Sequence, residues 1–79
     1  MKIKVRLAEK TQVNKIIDTE FIRLDAFLKL VDAVQSGGHA KIVVQDGEVK
    51  VNNEICIQRG KKLRPGDSVE FNNTIYNVI

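Results

Sequence analysis

Seventy-nine residues with 43% hydrophobic side chains suffice for one small domain, and a lone Cys and a lone His exclude an internal disulfide and a Cys/His zinc set. No apolar run exceeds three residues, and charges interrupt MKIKVRLAEK where a leader needs an apolar stretch; with the single thiol, Cys56, this leads us to expect a cytoplasmic protein without a membrane span. Thirteen basic residues against ten acidic ones give only +3, but the basic ones gather in residues 1–15 and in the RGKKLR run at 59–64, a distribution that favours a polyanionic partner.

Val and Ile supply 19 of the 79 residues, which favours strands around a few short helices. In Lys2–Leu7, Ile3, Val5 and Leu7 alternate with Lys2, Lys4 and Arg6, the pattern of a half-buried strand with a basic outer face. Gln12–Ile17 reads as a returning strand, so residues 1–20 are expected to form a basic strand or hairpin extension to a domain at 21–79. Leu24, Phe27, Leu28, Val31 and Val34 then recur at helical spacing and predict a helix of about three turns. Asp25 sits in its first turn, where a carboxylate suits the helix dipole. Ser36 reads as the N-cap of a second helix from Gly37 to Asp46, with Ala40, Val43 and Val44 inward and Gly47 as its left-handed stop. Strands are predicted at Glu48–Val51, Glu54–Ile57, Ser68–Phe71 and Thr74–Ile79. Asn52-Asn53 and Asn72-Asn73 supply hairpin turns, and Arg64-Pro65-Gly66-Asp67 has the type II pattern.

Little in the sequence points to catalysis. His39 has no nucleophile to serve, Cys56 reads as a half-buried structural thiol between Ile55 and Ile57, and no cofactor or metal motif is present. Gly37-Gly38 lacks the spacing of a nucleotide-binding glycine loop, although the helix start would offer N–H groups to one phosphate. Of the four aromatics, Phe21, Phe27 and Phe71 fit core positions and only Tyr76 is left over, so no extended base-stacking platform is expected.

The stretch from Ile22 to Phe71 resembles the S4 RNA-binding domain. That family opens with Arg-Leu-Asp and an apolar helix, continues through a Ser turn, Ala-Arg and Gly-x-Val-x-Val-Asn-Gly, and ends on Pro-Gly-Asp before a strand. The matching residues are Arg23-Leu24-Asp25, Ser36, Ala40-Lys41, Gly47-x-Val49-x-Val51-Asn52 and Pro65-Gly66-Asp67. Phe27–Leu30, Gln35–Gly38 and Arg59–Leu63 further resemble the small stand-alone bacterial proteins of the family, the YaaA/YbcJ-like group. Gly37 stands where the wider family has Arg, Lys41 replaces a second Arg, and Asn53 replaces a Gly. The first change removes a bidentate phosphate contact.

The resemblance implies an α+β fold: two short packed helices, the alpha-L motif, on a small, mostly antiparallel sheet. It also implies a basic groove for structured RNA, with ribosomal RNA or a ribosomal particle as the expected partner. Arg23, Lys41, Lys50, Arg59, Lys61, Lys62 and Arg64 are the expected contacts. Ser36, Gly38, His39, Gln45 and Asn52 are expected to line the groove, with Asp25 and Gly37 beside them. No membrane, small-molecule substrate or cofactor is expected. The alternative is a protein-interaction adaptor that pairs the strand Lys2–Leu7 with a partner's sheet edge, RNA being incidental.

Overall fold

A computed structural model describes residues 10–79. In chain order these form β1 (Thr11–Lys15), β2 (Ile22–Arg23), α1 (Leu24–Leu30), α2 (Gly37–Gln45), β3 (Lys50–Val51), β4 (Glu54–Ile55), β5 (Lys62–Leu63), β6 (Ser68–Phe71) and β7 (Thr74–Val78). The expected strand Lys2–Leu7 lies outside the described residues.

One five-stranded sheet has the order β1-β7-β6-β3-β4, and β2 and β5 form a separate antiparallel ladder. Among the described residues of the larger sheet only β1 and β7 run parallel, with Thr11 opposite Thr74 and Lys15 opposite Val78. The returning strand expected over Gln12–Ile17 therefore begins one residue earlier, ends at Lys15, and pairs with the last strand of the chain. The β3–β4 and β6–β7 hairpins close at Asn52-Asn53 and Asn72-Asn73, and all four Asn residues have positive φ, between 52° and 73°. Asn tolerates this left-handed region, which a type I′ turn requires at both central positions. At Pro65-Gly66, the Asp67 N–H donates to the Arg64 carbonyl at 2.9 Å and Gly66 takes φ 105°, as the type II pattern predicts.

α1 is shorter than its apolar spacing suggests. Asp32 adopts φ 60°, its N–H donates to the Lys29 carbonyl, and the Ala33 N–H donates back to the Leu28 carbonyl. This Schellman closure ends the helix after two turns. Val31 and Val34 still pack inward from the following loop, so they extend the stripe without extending the helix. α2 ends in the same way at the expected glycine: Gly47 has φ 77°, and the Glu48 N–H donates to the Val43 carbonyl. At its start, the Ser36 Oγ accepts from the His39 N–H at 3.1 Å, as a capping Ser should.

The core joins the helices to one face of the sheet. Leu24, Phe27 and Leu28 of α1 and Ala40, Val43 and Val44 of α2 are buried with Val49, Val51, Leu63, Val69 and Val78. Val51 lies opposite Val69, and Val69 opposite Tyr76. The Tyr76 ring meets Phe27 edge to face, with centroids 6.3 Å apart. Phe71 is half-buried against this core. Phe21 departs from expectation: it is only half-buried and stands outside the core, just before the short β2–β5 ladder.

Candidate functional site

The basic run is anchored by its own backbone. Arg23 occupies the N-cap of α1 but makes no side-chain cap. The orphan donors at the helix start are met instead by the basic loop: the Leu24 N–H donates to the Lys61 carbonyl at 2.8 Å and the Asp25 N–H to the Arg59 carbonyl at 3.0 Å. The Ala26 N–H donates to the Asp25 carboxylate at 2.8 Å. Immediately downstream, Leu63 is fully buried and pairs with Ile22, while Lys62 pairs with Arg23. The loop thus turns main-chain carbonyls toward α1, and Arg59, Lys61, Lys62 and Arg64 remain exposed. The Arg23 guanidinium lies over Gly60 and bonds Asp25 at 3.1 Å, so its charge is partly answered.

α2 contributes a second part. Arg23, Asp25, Ala26 and Lys29 share a shallow depression of about 180 Å³ with Gly37. This brings Arg23, Asp25 and Gly37 together. Lys29 belongs with them although it is outside the expected contacts, and its place one turn after Asp25 is the signal for it. The backbone N–H groups of Gly37 and Gly38 have no hydrogen-bond acceptor among the described residues. His39, Lys41 and Gln45 are exposed on α2, as is Ile42 at 58%.

Two expected residues are placed differently. Strand alternation puts Lys50 on the sheet face opposite its buried neighbours Val49 and Val51, and therefore away from the helices. Lys50 lies across from Glu70 there, and Glu70 also pairs with Lys10 at 2.6 Å. The hydrogen bond from Lys10 holds the Glu70 carboxyl below its ordinary range; partial desolvation opposes this, and the charges of Lys10 and Lys50 reinforce it. Asn52 lies at a turn, but its amide is engaged. Its Nδ2 donates to Asp67 Oδ1 at 3.1 Å, and its Oδ1 accepts from the Ser68 N–H at 3.0 Å.

Phe21 is the residue that sequence reasoning misplaced most. Lys62 Nζ lies 4.8 Å and Arg64 Cζ 5.7 Å from its ring centroid. A two-residue ladder leaves no periodicity to reveal such a cluster. Cys56 is half-buried, with its Sγ 3.7 Å from the Gln58 carbonyl. The described residues hold no group of three His, Cys, Asp or Glu side chains suited to a metal ion.

Residues 15–79 match the S4 domain family. Over 55 residues the chain is 56% identical to a protein of Bacillus subtilis (strain 168) named "Probable ribosome maturation protein RlbA", across 70% of this chain and 78% of that one. The fold is similar to the solution structure of YbcJ from E. coli, with a TM-score of 0.62 and 24% identity, over 100% of this chain and 99% of the other. That structure is described as revealing an alpha-L motif involved in RNA binding.

Proposed function

The chain belongs to the S4 domain family, and from that premise we propose that it is a cytoplasmic binding module for structured RNA, ribosomal RNA foremost, with no catalytic step of its own. The observation that carries this reading is the docking of the Arg59–Lys61 carbonyls on the first N–H groups of α1. The backbone of the loop is ordered on folding, so binding need order only the exposed side chains and not the main chain that carries them. Folded RNA is recognised largely through phosphates and shape, a task that Lys and Arg on a fixed frame perform with few aromatics. The name of the B. subtilis relative and the description of YbcJ support RNA and the ribosome as the partner class. His39 and Cys56 are given no chemical role.

Each phosphate contact adds roughly one unit to the dependence of log affinity on log salt. The double variant Lys61→Ala/Lys62→Ala should therefore flatten that slope by about two and weaken binding to ribosomal RNA across sequences. Its stability should shift by no more than about 1 kcal/mol, since Lys62 gives up one exposed cation–π contact. Titration of labelled ribosomal RNA at several salt concentrations reads this directly. Wild-type affinity in the double variant at low salt would remove the loop from the binding surface.

A further inference from the structure

Phe21, Lys62 and Arg64 form a cluster that phosphate recognition by the loop does not explain. The pairing of Ile22 with Leu63 and of Arg23 with Lys62 brings Phe21 beside β5. Lys62 Nζ and Arg64 Cζ then lie 4.8 and 5.7 Å from its ring centroid, both within cation–π range. Like charges gathered on one ring repel each other, and no carboxylate of the described residues forms an ion pair with either. The Asp67 carboxylate is engaged by the Arg64 main-chain N–H at 2.8 Å and the Asn52 amide at 3.1 Å. Phe21 also lines an open cleft of about 620 Å³ with the apolar Ile16, Ile17, Ile22 and Leu30 and the polar Lys15, Asp18 and Thr19. An aromatic ring and an apolar wall match the base of a nucleotide, and a pair of cations without an ion-paired carboxylate among the described residues matches its phosphate.

We propose that this cluster receives one unpaired nucleotide of the bound RNA, its base against Phe21 and the cleft wall and its phosphate between Lys62 and Arg64. The nucleotide must be unpaired, because a stacked and paired base keeps its faces covered, whereas a bulged or terminal base can be splayed onto an aromatic ring. This inference rests on the RNA-binding reading and adds the feature of the RNA that is selected.

The chain contains no Trp, so Phe21→Trp installs a single indole reporter at the site. Its fluorescence would be titrated with a ribosomal RNA hairpin bearing one bulged adenosine and with the same hairpin fully paired, while the anisotropy of a label on the RNA reports binding independently. Quenching by the bulged hairpin alone is the expected result. In parallel, Phe21→Leu should weaken binding of the bulged hairpin by about tenfold and leave the paired one unchanged. If both hairpins bind and neither quenches, or if Phe21→Leu affects both alike, the nucleotide site is overturned while RNA binding stands. Equal quenching by free adenosine monophosphate at the same concentration would also overturn it, in favour of a free-nucleotide site. Should neither hairpin change the anisotropy, it is the RNA-binding reading that fails. Phe21→Leu is compared with wild type at matched folded fraction, so instability of the Trp variant leaves the test intact.

Discussion

A Cβ built on Gly38 would meet only the Ser36 Oγ, at 3.9 Å, and one built on Gly37 would meet nothing within 4 Å. Neither glycine has positive φ, in contrast to Gly47 and Gly66. Within a helix, Gly is less favourable than Ala by roughly 0.5–1 kcal/mol. The fold therefore gives no steric reason for glycine at either position, and close approach of RNA backbone would supply one. Gly38→Ala should raise the melting temperature slightly, by the equivalent of about 0.5 kcal/mol, and lower affinity for ribosomal RNA by about tenfold. Thermal melts and RNA titrations on the same variant separate the two effects. A stabilised variant with unchanged affinity would make Ser36-Gly37-Gly38 a connector between helices and nothing more.

The elements that the sequence displayed clearly are those whose ends carry special backbone chemistry. Asn52-Asn53, Asn72-Asn73, Gly47 and Gly66 all take the positive φ that their turns require, and side-chain type alone announces this. The end of α1 was concealed because its stop is Asp32, a less telling residue than Gly, while Val31 and Val34 continue the helical spacing beyond it. The β2–β5 ladder has two residues in each strand, too few for alternation to show, and the parallel pairing of β1 with β7 joins opposite ends of the described chain. The Asn52 clasp illustrates how such elements are locked. Its amide ties the β3–β4 turn to Asp67 and Ser68, 15 and 16 residues further on. Asn52→Gly keeps the left-handed backbone and deletes only the amide, so it should cost about 1–2 kcal/mol, the net contribution of two such bonds. Urea denaturation would measure this. A loss near zero would mean that the strand ladder alone holds the turns together.

Across the whole molecule, the two faces of the sheet have different work. Val51, Val69 and Tyr76 look toward the helices, and the docked basic loop is carried on that side through α1. Lys50 and Glu70 share the opposite face with Lys10, where opposite charges answer one another. The cations of the loop could be read from the sequence because four of them fall within six residues, which keeps them near one another whatever the fold. Lys50 could not be assigned in this way: alternation with Val49 and Val51 shows that it faces away from the core, but which face the helices cover is a property of the assembled fold. If RNA lies on the helix side, Lys50→Ala should leave affinity within about twofold and the salt slope unchanged, while Lys61→Ala in the same assay flattens the slope by about one. The contrast is informative because both residues are exposed lysines of equal charge, and only their position differs. Equal loss of slope in the two variants would require RNA to wrap the edge of the sheet and engage both faces, and the site would then have to be redrawn around β3 and β4.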